Sequence, residues 1–240
     1  MCEMSNDEGY LLCVFGDINY FKLADRMVAN ITKFDNFRKI CILTDNTSYF
    51  NYKYTDTLII VHFDYTFHLH PSIPHGNNWN KYGFIPKVYQ FIYTPFIKTF
   101  FMDVDMIFFK DFTFFWQEFE DLKLPILMAG KSDTNNRSPS NWHWGYIDRV
   151  IDACGFNCPQ ISSTVFIYDT TFSILMQNNL EFILDNLKNW NVQSLYCNGY
   201  PDEILYSLLL GKNNIKPNIN IHDWILDANN CNPVDKSSNI

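Results

Sequence analysis

The apolar residues in the first half of the chain fall into short runs, separated by polar segments and by a stretch with helical spacing. Between residues 21 and 31 the apolar side chains recur every three or four positions, which predicts an amphipathic helix. A second helix is expected to begin at Pro86, because proline is favoured in a first turn, and to end near Tyr93. The short runs predict strands at residues 10–15, 39–43 and 57–63 and from residue 100 onward.

The second half of the chain repeats this pattern less regularly. Further strands are predicted at residues 124–129 and 162–168, and further helices at residues 170–187 and 201–210. Strands that alternate with helices are typical of an α/β protein, here with a mixed, mostly parallel sheet flanked by helices. In such folds ligands bind beyond the carboxyl ends of the strands, so the polar residues that follow each strand are candidates for a site.

Length and composition indicate one globular domain. With 240 residues, 47% of them hydrophobic, we expect a single domain over residues 1–240 with flexible tails at residues 1–9 and 228–240. No apolar run reaches the roughly 18 residues that a membrane span needs. The acidic N-terminus is unlike a secretory signal, and the seven scattered cysteines suggest free thiols in a reducing compartment. We therefore expect a cytoplasmic location.

The net charge of −8 restricts the partners of this chain. It would repel a phosphate backbone, so nucleic-acid binding is not expected. It does not exclude a small anionic ligand that is held through a metal ion. The polar segment at residues 131–145 carries two tryptophans and is a candidate surface for an acceptor. The sequence leaves a homodimer open.

Two carboxylates interrupt the apolar run at residues 100–109. Asp103 and Asp105 lie one residue apart in this otherwise apolar stretch. Leaving two anions near a core is costly unless a cation compensates them. We therefore expect a buried strand that reaches the edge of the sheet and delivers both side chains to a divalent metal, since Mg²⁺ and Mn²⁺ favour carboxylate oxygens. The alternative is a turn in which the two aspartates only cap the segment that follows.

The segment from Lys87, at the start of the second helix, to Asp105 resembles glycogenin and its relatives. These are retaining nucleotide-sugar glycosyltransferases with the GT-A fold, and the resemblance covers about residues 10–222. It implies that Lys87 contacts the donor and takes part in catalysis. It also implies that Asp103 and Asp105 bind Mn²⁺ (or Mg²⁺) beneath a UDP-sugar, with Val104 against the donor.

Two further segments extend the resemblance at the donor. Gly16 and Tyr20 match the first loop of the family, where backbone and a tyrosine enclose the uracil, and Asp45 follows the next strand on the same side. Ser163 and Thr164 match the family's Asn-Ser-Gly-Val strand, which lines the sugar. In this strand Ser162 stands at the position of the family's asparagine, and Thr164 stands at the position of its glycine.

The C-terminal part of the resemblance supplies the remaining site residues. Asp202 matches the catalytic-side carboxylate, with Glu203 beside it as a substrate contact. His222 matches the histidine that is the third metal ligand. The Gly-x-x-Lys that follows in the family and grips the diphosphate is absent.

These observations predict a metal-dependent glycosyltransferase that moves a sugar from a UDP-sugar to an unidentified acceptor, with retention. Two alternatives stay open. Four apolar residues before Asp-x-Asp also resemble the first motif of haloacid-dehalogenase-type phosphatases, although about a hundred residues precede it here. The missing Gly-x-x-Lys and the altered sugar strand would fit a GT-A fold that is kept as a binding module with weakened catalysis.

Overall fold

A computed structural model describes residues 7–51, 58–64, 85–131, 147–190, 192 and 202–218. In this part of the chain one six-stranded sheet forms the centre, in the order β3-β2-β1-β4-β6-β5. The strands are β1 (Glu8–Val14), β2 (Lys39–Thr44), β3 (Leu58–His62), β4 (Lys98–Met102), β5 (Ile126–Lys131) and β6 (Gln160–Asp169).

The direction of the strands confirms the mixed, mostly parallel sheet. The first four strands run parallel, with β1 between β2 and β4. By contrast, β6 pairs antiparallel with both β4 and β5. Its long span places residues 160–169 beside the end of β4, where Thr164 O accepts a hydrogen bond of 2.8 Å from Asp103 N.

Helices cover both faces of the sheet in three layers. They are α1 (Ile18–Phe34), α2 (Thr47–Asn51), α3 (Ile85–Val88), α4 (Gln90–Tyr93), α5 (Phe114–Leu122), α6 (Ile147–Cys154), α7 (Thr170–Asn186) and α8 (Asp202–Lys212). One core lies between the sheet and α1, α2 and α5, with Met27 and Trp116 among its buried side chains. The second core lies between the opposite face and α3, α4, α6, α7 and α8, where Leu180 and Leu208 are buried. None of the helices in the described ranges has the length and apolar character needed to cross a membrane.

Several element boundaries differ from the sequence-based prediction. β1 begins at Glu8, inside the N-terminal segment that was expected to be a tail. β4 ends at Met102, and a turn follows at Val104 and Asp105, so the apolar run does not continue as a strand. Of the side chains that follow, Met106 and Phe108 pack against the core on the face of α1 and α5, whereas Ile107 and Phe109 are exposed. Helices α2, α5 and α6 were not predicted.

A group of charged side chains closes the sheet at the amino ends of β1, β2 and β4. Asp35 is almost fully buried and accepts hydrogen bonds from Tyr10 Oη at 2.6 Å, Arg38 NH1 at 2.7 Å and Phe37 N at 3.0 Å. Burial alone would raise the pKa of Asp35, but the hydrogen bonds from Tyr10 and Arg38 outweigh it and lower the pKa. Protein donors therefore take the place of water around the Asp35 carboxylate and keep it ionised.

The same group continues toward β4 through alternating charges. Arg38 Nε lies 2.8 Å from Glu8 Oε2, and Glu8 Oε1 lies 3.6 Å from Lys98 Nζ, which also pairs with Glu120. The Arg38 guanidinium stacks over the Trp116 ring at 4.8 Å from its centroid. We call Glu8, Asp35, Arg38, Lys98 and Glu120 the amino-end cluster. Each of its three carboxylates contacts a cation.

Candidate active site at the carboxyl ends of the strands

The strand order creates a crevice between the carboxyl ends of β1 and β4. From β1 the chain proceeds to β2 and β3 on one side of the sheet, whereas β4 lies on the other side of β1. The connections that leave β1 and β4 therefore diverge, and this topological switch point is where open α/β sheets bind ligands. The loop at Gly16 follows β1, and Asp103 follows β4.

The loop after β1 is shaped by a glycine and a helix cap. Gly16 has φ of +100°, a left-handed conformation that favours glycine. Asp17 then caps α1, its Oδ1 accepting from Asn19 N at 2.7 Å and Tyr20 N at 3.4 Å. Tyr20 lies in the first turn of α1 with 42% of its surface exposed. Its ring is thus free of the core, which suits contact with a ligand.

The loop after β2 carries Asp45 at the same edge of the sheet. Thr44, the last residue of β2, is fully buried, and its Oγ1 accepts a hydrogen bond of 3.2 Å from Asn46 N. Thr44 O accepts another from Phe63 N at 2.8 Å, which ties the ends of β2 and β3 together. Asp45 is partly buried between these fixed neighbours.

Lys87 lies at the centre of the site. Its ammonium Nζ is 2.7 Å from Asp103 Oδ1 and 3.1 Å from Asp202 Oδ2, and the lysine side chain is 17% exposed. Three distant parts of the chain meet here: α3, the end of β4 and the first turn of α8. Glu203 follows Asp202 in that turn, where the helix dipole favours anions. We call Lys87, Asp103, Asp202 and Glu203 the carboxyl-end cluster.

The two carboxylates of the Asp-x-Asp motif lie in different environments. The Asp103 side chain is only 14% exposed, Val104 is buried, and Asp105 is exposed. The Asp103 N–H to Thr164 O bond extends the β4–β6 pairing by one residue, and the turn then directs Asp105 toward solvent. The motif therefore presents one carboxylate from the floor of the crevice and one from its rim.

The electrostatics of the carboxyl-end cluster are unbalanced. Burial is the main reason that the pKa of Asp103 rises to about 7; the like charge of Asp202 adds to the rise and Lys87 opposes it. The Lys87 ammonium is also penalised by burial, but its two carboxylate partners raise its pKa, so it stays protonated. Burial together with Asp202 and Asp103 raises the pKa of Glu203 to about 8, although a hydrogen bond from the Ser163 backbone lowers it in part. One lysine thus faces three carboxylates.

The β6 residues expected to line the sugar border this cluster. Ser163 is buried and contacts Glu203 through its backbone, and Thr164 is partly buried beside Asp103. The Ser162 and Thr164 hydroxyls lie 2.7 Å apart, within hydrogen-bonding distance. Both predicted β6 residues therefore reach the candidate site from the strand that flanks β4.

A buried polar pair beneath the site was missed by the sequence analysis. Gln90 Nε2, at the start of α4, donates a hydrogen bond of 2.6 Å to Tyr206 Oη, which lies one turn after Asp202 on α8. Tyr168 Oη donates to Gln90 Oε1 at 3.3 Å. The signal that could have revealed this pair is Gln90 itself. It is a polar residue three positions after Lys87, among the apolar residues of the predicted helix.

The donor atoms at this edge suit a hard divalent cation only in part. Asp103 and Asp105 offer carboxylate oxygens, and the surplus of negative charge favours a cation. His222, the expected third ligand, lies outside the described residues. Within the described ranges no group of three or more ligating side chains is positioned around one metal. Such a cation would therefore take most of its remaining ligands from phosphate oxygens and water.

Comparison of the fold with solved structures identifies it as GT-A. The galactosyltransferase LgtC, in complex with donor and acceptor sugar analogs, is 12% identical with a TM-score of 0.56, over 83% of this chain and 70% of that chain. Mouse xyloside xylosyltransferase 1 in its apo form is 10% identical with a TM-score of 0.54, over 88% of this chain and 84% of that chain. No protein-family model and no curated protein matches the sequence.

The GT-A fold predicted from the sequence is thereby confirmed, with glycosyltransferases as its structural neighbours. At these identities the likeness establishes the fold, and an activity has to be argued from the site. The particular likeness to glycogenin stays a prediction.

Proposed function

We propose that this protein is a metal-dependent glycosyltransferase that uses a UDP-sugar as donor. The observation that carries the proposal is the carboxyl-end cluster, in which Lys87 is held between Asp103 and Asp202 at the switch point of a GT-A sheet. A buried ion pair is balanced when each charge has a partner, because an unpaired buried charge is costly. This one has excess negative charge beside an exposed Asp105, as a site for a cation and a diphosphate would need.

Asp103 and Asp105, with His222 as the expected third ligand, would hold Mn²⁺ or Mg²⁺. When bound, such an ion neutralises the charge that develops on the leaving diphosphate. This role fits the position of Asp103 on the floor and Asp105 on the rim of the crevice. Val104 lies between them and is buried, which anchors the turn that carries both aspartates.

Lys87 would supply a fixed positive charge toward the leaving group. Its raised pKa keeps it protonated, and its two carboxylate partners restrict its position. Asp202 would orient the donor sugar or stabilise positive charge at its anomeric carbon. Glu203, Ser163 and Thr164 would line the sugar, because they border Asp202 and Asp103 from α8 and β6.

The nucleoside would lie against the loops that follow β1 and β2. Gly16 lets the first loop turn sharply, Tyr20 offers an exposed ring for stacking on the base, and Asp45 presents a carboxylate at the next strand end. Retention of the anomeric configuration follows from the resemblance to glycogenin. Proton NMR of the first product formed from a UDP-α-sugar tests it, since an α-linked product is expected.

Calorimetric titration of UDP, with Mn²⁺ or with EDTA, tests the site. Mn²⁺ should tighten UDP binding, typically by about 1–3 kcal/mol for coupled ligands. Asp105→Asn should remove this gain, whereas Asp121→Asn, an exposed aspartate on α5, should keep it. Tighter binding of GDP than of UDP would contradict the donor, and equal UDP affinity with Mn²⁺ and EDTA would contradict the metal.

Turnover separates the transferase from its alternatives. Release of UDP from a UDP-sugar in the presence of Mn²⁺ supports the enzyme, and binding without release supports a binding module. The GT-A fold already weighs against the haloacid-dehalogenase alternative, since its motif belongs to the first strand of a different sheet and Asp103 follows β4. Hydrolysis of p-nitrophenyl phosphate would revive that alternative.

A further inference from the structure

Two cysteines at the end of α6 form a pair that the proposed function does not use. Cys154 is the last residue of α6, and Cys158 follows after a three-residue connection. Their sulfur atoms lie 3.9 Å apart. Both are free thiols, Cys154 partly exposed and Cys158 fully buried.

The backbone between them makes this approach possible. Gly155 has φ of +76°, and its N–H donates a hydrogen bond of 3.0 Å to Ile151 O, so it ends α6 in a left-handed turn. The chain reverses there and brings Cys158 back beneath the last turn of the helix. Sulfur atoms at this distance meet after side-chain rotation, without movement of a distant element.

The two thiols differ in reactivity. Either thiol of the pair could donate to the other; donation from Cys158 stabilises the Cys154 thiolate and is the main reason that the pKa of Cys154 falls to about 7. The same interaction, together with burial, raises the pKa of Cys158. A partly exposed thiol with a pKa near ambient pH is the better nucleophile in thiol–disulfide exchange. A buried thiol beside it can resolve the product.

We propose that Cys154 and Cys158 form a redox-active dithiol that closes to a disulfide on reaction with low-molecular-weight disulfides. The Cys154 thiolate attacks one sulfur of the reagent, forming a mixed disulfide and releasing one thiolate. Cys158 then loses its proton and attacks Cys154 Sγ, which expels the second thiol. The protein loses two protons and two electrons, and the reagent takes them up and is reduced to two thiols.

Closure would fix a loop that packs on α8. Ser207 of α8 donates a hydrogen bond of 2.5 Å to Pro159 O, and a Cβ on Gly211 would lie 2.2 Å from Asn157 O. The Phe156 and Trp190 rings pack edge to face, with their centroids 5.7 Å apart. The dithiol is therefore built into the support of the helix that begins with Asp202, yet its chemistry does not depend on the proposed transferase activity.

Oxidised glutathione, followed by acid quenching and tryptic mass spectrometry, tests the proposal. The peptide of residues 150–188 contains both cysteines and no other, and the peptide of residues 40–53 contains only the buried Cys41. We expect the first peptide to lose the mass of two hydrogens at least about tenfold faster than the second acquires glutathione. A first peptide that stays reduced, or one that stops with glutathione attached, would overturn the proposal.

Two serine variants separate the roles of the two thiols. Cys158→Ser should trap glutathione on Cys154, and Cys154→Ser should leave the peptide unmodified, because the remaining thiol is buried. Equal modification of the two variants would contradict the assignment. Circular dichroism verifies that each variant folds. If either does not, the wild-type time course decides, since a glutathione adduct must precede the disulfide.

Discussion

The two ends of the parallel strands carry charged clusters that are built in opposite ways. In the amino-end cluster every carboxylate contacts a cation, and protein donors lower the pKa of Asp35 although it is buried. In the carboxyl-end cluster one lysine contacts two of the three carboxylates, and the pKa of Asp103 is raised to about 7. Both ends place charge at the margin of the same sheet, so burial alone does not explain the difference.

The comparison shows how a stabilising cluster differs from one suited to binding. Donors that satisfy Asp35 come from its own segment and from β1, so the anion is complete without a ligand. Asp103 depends on Lys87, which Asp202 shares. The carboxyl end therefore carries a cost in the free protein that a bound cation would relieve.

The largest expected effect comes from removing the lysine of the carboxyl-end cluster. Lys87→Met should lower the free energy of unfolding by about 3–5 kcal/mol, because it leaves buried carboxylates without their cation. The loss should be smaller at pH 5, where Asp103 and Glu203 take up protons. Urea denaturation followed by tryptophan fluorescence measures it. Lys188→Met, at an exposed position, is the matched control, and equal losses in the two variants would contradict the comparison.

At the amino end, Asp35→Asn should cost about 2–3 kcal/mol of stability, since an amide NH₂ replaces the charged Oδ2 that accepts hydrogen bonds from Arg38 and Tyr10. The same denaturation experiment applies. UDP affinity in the presence of Mn²⁺, measured on the folded variant, should be unchanged. Asp121→Asn should stay within about 0.5 kcal/mol of the wild type. A change in UDP affinity on Asp35→Asn would remove the functional distinction between the two ends.

The same substitution at the carboxyl end should act with the opposite sign. Asp103→Asn should raise stability by about 1–2 kcal/mol at pH 8, part of the roughly 4 kcal/mol that a rise of three pKa units represents, because Lys87 also loses a partner. The metal-dependent gain in UDP affinity should disappear. Denaturation and calorimetry on one preparation measure both effects. Destabilisation equal to that of Asp35→Asn would show that the two clusters are alike.

The smallest effect is the dependence of stability on pH through Glu203. Its pKa in the folded protein, about 8, lies above the ordinary value of 4.5, so the folded state binds more protons between these values. Its contribution to stability is therefore complete below pH 4.5 and is lost as pH rises toward 8. We expect a fall of about 1 kcal/mol between pH 5 and pH 8, since water screens this partly buried group. Glu203→Gln should make the urea midpoint depend less on pH over this range. If the midpoint of the variant changes with pH as much as that of the wild type, the assignment is contradicted.

The sequence was sufficient for the sheet, and it named the residues of the candidate site without their contacts. Apolar runs and helical spacing predicted strands and helices because those residues are buried on both faces of the sheet or on one face of a helix. The end of β4 was placed too late, since the apolar run continues past Asp105, although only Met106 and Phe108 pack against the core and Ile107 and Phe109 are exposed. Helix α5 was missed for the same reason, because its aromatic residues mask the helical spacing.

The partners of Lys87 could not be read from the sequence. Asp103 lies sixteen residues away and Asp202 lies 115 residues away, and only the packing of α3 and α8 on one face of the sheet brings them together. The residue types were predicted, but the sharing of one cation among several carboxylates is a property of the assembled fold. His222 lies outside the described residues, so its role as a metal ligand stays a prediction.

The strand order also affects how the chain folds during synthesis. Residues 8–44 contain β1 and β2, which can pair early, but the other edge of β1 is covered only by β4 at residues 98–102. At 5–20 residues per second, synthesis from residue 44 to residue 102 takes roughly 3–12 seconds, and the edge of β1 stays uncovered during this time. An open, apolar edge strand is a template for association between chains. Among the neighbouring strands of the described sheet, β1 and β4 are the farthest apart in sequence, so we expect nascent chains to associate most readily through this uncovered edge of β1.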